Sequence, residues 1–156
     1  MSAISRFARL RGLSREERGL LACALVLLPL TALGLRLTGL RRVQRALERM
    51  SPLSRRGGTH GDPAIHAMQS ARMVFAAARH GPYRATCLPT ALALQSLLRR
   101  RGIHTDLRLG VRKDRGRFEA HAWLEHRGIA LIDSVDVGEY FSAFAEPIGN
   151  AAVRAR

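Results

Sequence analysis

Apolar and basic positions alternate along this chain in blocks, and the spacing inside each block predicts an element. Ser14-x-x-Glu17 stands just ahead of the first apolar run. In this capping-box pattern, side chain and backbone satisfy each other's open N–H groups, so a helix starts here. The run Leu20–Leu35 that follows is nearly free of polar groups, is broken by Pro29 and Gly34, and has arginines on both sides. It is shorter than the ~20 residues a membrane helix needs, so it reads first as a buried helix or helix pair. A membrane-surface segment and a secretory signal are the alternatives, and Glu16 and Glu17 count against the signal. In "LRRVQRALERM", Leu40, Val43, Leu47 and Met50 recur at helical spacing with arginines between them, and Ser51-Pro52 ends the helix. "SPLSRRGGTHGD" is a loop by its Pro, Gly and Ser content. Asp62-Pro63 then restarts a helix, a cap followed by proline in the first turn, which runs to Gly81-Pro82. The chain divides accordingly into an apolar and basic helical segment (1–50), a linker (51–62) and a main domain (63–156).

"TCLPTALALQSLLRRRG" carries the next helix. Pro89 is tolerated only in a first turn, so the helix begins near Thr86 or Cys87, with Thr86 as the cap. Leu88, Ala91, Leu92, Leu94, Leu97 and Leu98 cover most of its circumference, which makes it central and buried. Arg99, Arg100 and Arg101 suit the negative end of the helix dipole, and Gly102 closes it. Beyond it the period drops to two. "TDLRLGV" and "FEAHAWLE" alternate as strands around a turn at Gly116, and "IALID" is a third strand after "HRG". In the second strand Phe118, Ala120, Ala122 and Leu124 share one face, and Glu119, His121, Trp123 and Glu125 share the other.

Composition narrows the function classes. The net charge is +14, and Lys113 is the only lysine, so the charge is almost entirely arginine. It reads as solvated faces, or as attraction to an acidic peptide, RNA or anionic lipid. Aromatics are few and none interleaves with the basic runs, which argues against stacking on single-stranded nucleic acid. Two cysteines, Cys23 and Cys87, are too few for a disulfide framework, and their default is reduced and intracellular. No spacing suggests a zinc site, so no metal cofactor is expected; no Gly-rich phosphate loop is visible, and the sequence leaves a nucleotide requirement open.

The chemistry gathers on three residues. Cys87 sits at the positive end of a buried helix, where a thiolate nucleophile is favoured. If His126-Arg127-Gly128 is a three-residue hairpin loop, Glu125 faces Ile129, Trp123 faces Leu131 and His121 faces Asp133. Directly opposed Cβ atoms lie about 4.5–5.5 Å apart, within reach of an imidazole–carboxylate hydrogen bond. A one-residue slip removes that pairing. Trp123 reads as core, and His60, His66, His80, His104 and His126 read as surface residues.

The succession "CLPTALALQSLLRRRGI", "LRLGV", "FEAHAWLEHRGIALID" and "YFSAF" resembles the lasso-peptide leader peptidases of the microcin-processing, transglutaminase-like superfamily, over about Tyr83–Phe144. The segment Ser14–Met50 also looks like the N-terminal part of stand-alone members. The resemblance implies an α+β, papain/transglutaminase-like cysteine-protease core, with a central Cys helix packed on a small antiparallel sheet. It also implies a triad: Cys87 as nucleophile, His121 as general base and then acid, Asp133 as orienting carboxylate. The implied reaction is hydrolysis of the leader–core amide of a ribosomally made precursor. A separate leader-recognition protein would present the precursor, and a lasso cyclase would act afterwards. From the cysteine usage, the aromatic content and the apolar N-terminal run, the expected setting is cytoplasmic, with no nucleic-acid partner and with membrane contact open through the N-terminal segment. Family members favour a threonine just before the scissile position. A papain-type glutamine ahead of the cysteine is absent from "RHGPYRAT", which leaves the Cys87 backbone N–H as the oxyanion donor and Tyr83 as a second candidate. Two other readings are an acyl transferase on the same fold and a non-catalytic basic protein that binds membrane or RNA.

Overall fold

The computed structural model describes residues 12–51, 62–114, 117–131 and 142–143, and among these four helices precede a small antiparallel sheet. The helices are α1 (Arg15–Thr38), α2 (Leu40–Met50), α3 (Pro63–His80) and α4 (Cys87–Arg100). The strands are β1 (Asp106–Asp114), β2 (Arg117–His126), β3 (Ile129–Leu131) and β4 (Ser142–Ala143), in the sheet order β3-β2-β1-β4.

The capping box at Ser14 forms as its residues require. Its hydroxyl accepts from the Glu17 N–H at 3.1 Å, and its own N–H donates to the Glu17 carboxylate at 2.9 Å. The expected break at Pro29 and Gly34 does not occur, and α1 runs through both. A proline inside a helix costs about 3 kcal/mol. Beyond it Thr31 and Ala32 are buried against the core, and the Thr31 hydroxyl donates back to the Leu27 and Leu28 carbonyls at 2.8 and 2.9 Å, which ties the two sides of the proline together. The chain turns into α2 only at Gly39, whose φ of 79° lies where a Cβ is disfavoured. Of the α2 stripe, Val43 and Leu47 are buried, whereas Met50 is exposed. Ser51, fully buried, ties the end of α2 to α4. Its hydroxyl lies 2.7 Å from that of Ser96 and accepts from Arg100 Nε at 2.9 Å.

Helix α3 starts at Asp62, whose carboxylate accepts from the Ala64 N–H at 2.9 Å. Helix α4 is the centre of the molecule: every residue from Pro89 to Leu98 except Gln95 is buried. The Gly102 and Ile103 N–H groups close its C-terminus on the carbonyls of Arg99 and Leu98. Arg101 pairs with Glu16 and so fastens this end to the start of α1. Leu20, Ala24 and Leu28 of α1, Val74 and Ala77 of α3, Leu92, Leu94 and Leu98 of α4, and Leu107, Ala122, Leu124 and Leu131 of the sheet form one core.

The β2–β3 register differs from the expected one by a residue. His126 pairs with Ile129, Glu125 with Ala130 and Leu124 with Leu131. The loop therefore has two residues, Arg127 and Gly128, at φ 52° and 80°. A turn with positive φ at both centres matches the twist of the flanking strands, which favours it over the longer loop. His126 is held in the strand from its other side as well. It is buried, not a surface residue, and its Nδ1–H donates to the His104 carbonyl at 2.7 Å. The register that would oppose His121 to Asp133 is thus not the one formed. Asp133 itself lies outside the described residues.

Candidate active site

Cys87 is the first residue of α4 and is half-buried with a free thiol. Thr86 occupies the N-cap position but makes no side-chain cap hydrogen bond. Its carbonyl is engaged instead, by the Thr90 N–H at 3.2 Å and the Thr90 hydroxyl at 2.7 Å. Pro89 has no N–H to offer. The first-turn amides not bound by a cap are therefore those of Cys87 and Leu88, beside the sulfur. Donors placed there stabilise negative charge that develops on a carbonyl oxygen. The inner side of this turn is braced by α1, because the Thr31 hydroxyl reaches the Pro89 carbonyl at 3.4 Å.

A cavity of about 230 Å³ opens at this helix head. Cys87, Thr86 and Thr90 line it from α4 and its cap, Phe75 and Arg79 from α3, and His121 and Trp123 from β2. The fold thus brings two of the three expected residues, Cys87 and His121, to one cavity, although 34 positions separate them in the chain. The walls are mostly apolar, as is usual for a site that binds an organic substrate.

Trp123 is core, as its size suggests, but it also has a role that sequence reasoning missed. Its ring stacks on His121 with centroids 6.3 Å apart and planes 21° from parallel. Its indole N–H donates to the Glu125 carboxylate at 3.2 Å, and Glu125 also accepts from Arg108 Nε at 3.0 Å. Arg108 lies across from Trp123 in the β1–β2 register. The strand face therefore carries a row from His121 through Trp123 to the Glu125–Arg108 pair, which fixes the indole and through it one face of the imidazole. The two-residue spacing of His121, Trp123 and Glu125 was the available signal. Tyr83 packs against the core and is not among the cavity residues.

A family model described as the transglutaminase-like superfamily matches residues 25–146. This chain belongs to the transglutaminase-like superfamily. The match starts inside α1 and takes in α4, the sheet and the segment containing Asp133. The superfamily includes cysteine proteases and acyltransferases, and the helix-rich α+β build with a small antiparallel sheet suits membership. No curated protein and no solved structure matches the chain.

Proposed function

We propose that this superfamily member is a cysteine endopeptidase that removes the leader from a ribosomally made lasso-peptide precursor. The observation that carries the reading is the cavity shared by Cys87, at the uncapped head of a buried helix, and the β2 residue His121. The Cys87 thiolate attacks the scissile carbonyl, and the Cys87 and Leu88 N–H groups receive the oxyanion. His121 protonates the leaving amine and then takes a proton from the water that hydrolyses the thioester. Asp133 is assigned the orienting carboxylate through the resemblance of its segment. A separate leader-recognition protein presents the precursor, and a cyclase closes the ring afterwards. No cofactor enters any of these steps.

The test is cleavage of a lasso precursor, with its leader-recognition protein, followed by mass spectrometry. Cys87→Ala is expected to lower kcat/KM by about 10³-fold or more while the helical circular dichroism stays unchanged. Asp133→Ala is expected to fall by roughly 10²–10⁴-fold if Asp133 orients His121. Undiminished cleavage by Cys87→Ala would overturn the reading. So would a product that carries an added amine in place of water, since that marks acyl transfer.

A further inference from the structure

Helix α1 is apolar around most of its circumference but is buried on one side only. Leu20, Ala24, Leu28, Thr31 and Ala32 face the core. On the opposite side Ala22, Cys23, Val26, Leu30, Leu33 and Leu37 are all exposed. Successive steps of four, four, three and four residues from Ala22 to Leu37 keep them on one line, about 22 Å long at 1.5 Å per residue. The large side chains in it are 53–72% exposed. No charged residue interrupts this line, but charge bounds it. Arg15 stands on the same line three turns before Val26, Arg18 lies beside that end, and Arg36 lies beside the other. Arg41, Arg42, Arg45 and Arg49, all exposed, follow on α2.

A soluble surface rarely leaves such a stripe uncovered, so the question is which occupant fits it. A second copy does not. In either direction, pairing the stripe with itself sets arginines against arginines, and one helix line is narrow beside the roughly 800 Å² a side of a stable interface. A bilayer-spanning α1 does not fit either, although its length and composition would allow it. Its inner face is taken up by the core, by the Pro89 carbonyl and, through Glu16, by Arg101. A helix with one apolar line open, one face docked and arginines at both ends has the charge and shape of a helix lying in a membrane interface. The arginines match anionic headgroups, and the leucines match the upper acyl chains.

We propose that α1 docks this domain in the plane of an anionic lipid surface through the Val26–Leu30–Leu33–Leu37 line, with Arg15, Arg18 and Arg36 on lipid phosphates. Because the inner face of α1 touches the head of α4, docking holds the Cys87 end of the cavity about one helix diameter, ~10 Å, from the lipid.

The test uses the full chain and co-sedimentation with vesicles of phosphatidylcholine alone or mixed with phosphatidylglycerol. The expected result is binding to the anionic vesicles at least tenfold tighter than to phosphatidylcholine, weakening as salt rises. The pair Leu30→Ser with Leu33→Ser is expected to lose at least tenfold, with its circular dichroism unchanged. Leu30→Trp, which keeps the site apolar, is expected to bind and to shift its emission to the blue on anionic vesicles. Absence of binding to the anionic vesicles overturns the proposal. Binding that survives the double serine change, or an emission from the Leu30→Trp variant that stays unshifted on bound vesicles, overturns it too. So does a stripe-dependent association with a second copy or with a protein partner in place of lipid.

Discussion

Helices α1 and α4 have nearly the same kind of sequence and opposite settings. Both are leucine- and alanine-rich, both carry a proline, and both have arginines at an end. Helix α4 is enclosed by α1, α3 and β2, so apolar side chains on all sides find partners. Helix α1 lies on the outside and buries one face. The same composition therefore serves two purposes. In α4 it fixes the position of Cys87, and in α1 it leaves a stripe for something outside the domain. What separates them is what packs on each, which composition does not report.

The sharpest way to break that comparison is to cut identical holes in both helices. Leu92 in α4 and Leu28 in α1 are at most 1% exposed. Leu92→Ala and Leu28→Ala should each cost about 2–5 kcal/mol in urea unfolding, because a buried leucine leaves a cavity its neighbours only partly fill. Leu92 lies one turn beyond Leu88, so its loss should also slow precursor cleavage through misplacement of the helix head. A cost under about 1 kcal/mol at Leu28, below the usual range for such a truncation, would mean that α1 is not docked on α4 in solution. The contrast would then lose its basis.

Next in size is the seam between α2 and α4. Ser51→Ala removes the partner of the buried Ser96 hydroxyl and of Arg100. The expected loss is roughly 1–3 kcal/mol, the cost of a buried polar group left unsatisfied. Ser96→Ala in the Ser51→Ala background should recover part of it. If the double change were fully additive, the two hydroxyls would not be coupled in the folded protein.

Features that depend on neighbouring residues alone were legible in the sequence. The starts of α1 and α3 follow from Ser14 with Glu17 and from Asp62 with Pro63, since capping is settled within one turn. The placement of Cys87 followed from Pro89, and the shared face of His121, Trp123 and Glu125 from strand alternation. Features set by distant partners were not legible. Pro29 reads as a break until the burial of Thr31 and Ala32 beyond it is weighed. Arg127-Gly128 fits a two- or a three-residue loop until the burial of His126 against the His104 carbonyl decides. The side chains that α3 contributes to the cavity, Phe75 and Arg79, carry no signal of their own, because nothing near them in sequence says what they face. The one-residue shift matters most for the site. It removes the geometric derivation of a His121–Asp133 pair and leaves the role of Asp133 to mutagenesis.

The smallest expected effect discriminates most finely. Leu30 lies two residues from Leu28 on the same helix and is 58% exposed, where Leu28 is 1% exposed. Leu30→Ala should therefore change stability by no more than about 0.5 kcal/mol, since it opens no cavity and alanine is at least as good a helix former. The measurement is a urea midpoint at several protein concentrations, without lipid. A loss near ~2 kcal/mol, the size of a leucine truncated in a core, would mean that Leu30 is covered in solution. If that loss grew with concentration, the cover would be a second copy. The outer face of α1 would then be packed as fully as its inner one, and the distinction between the two helices would disappear.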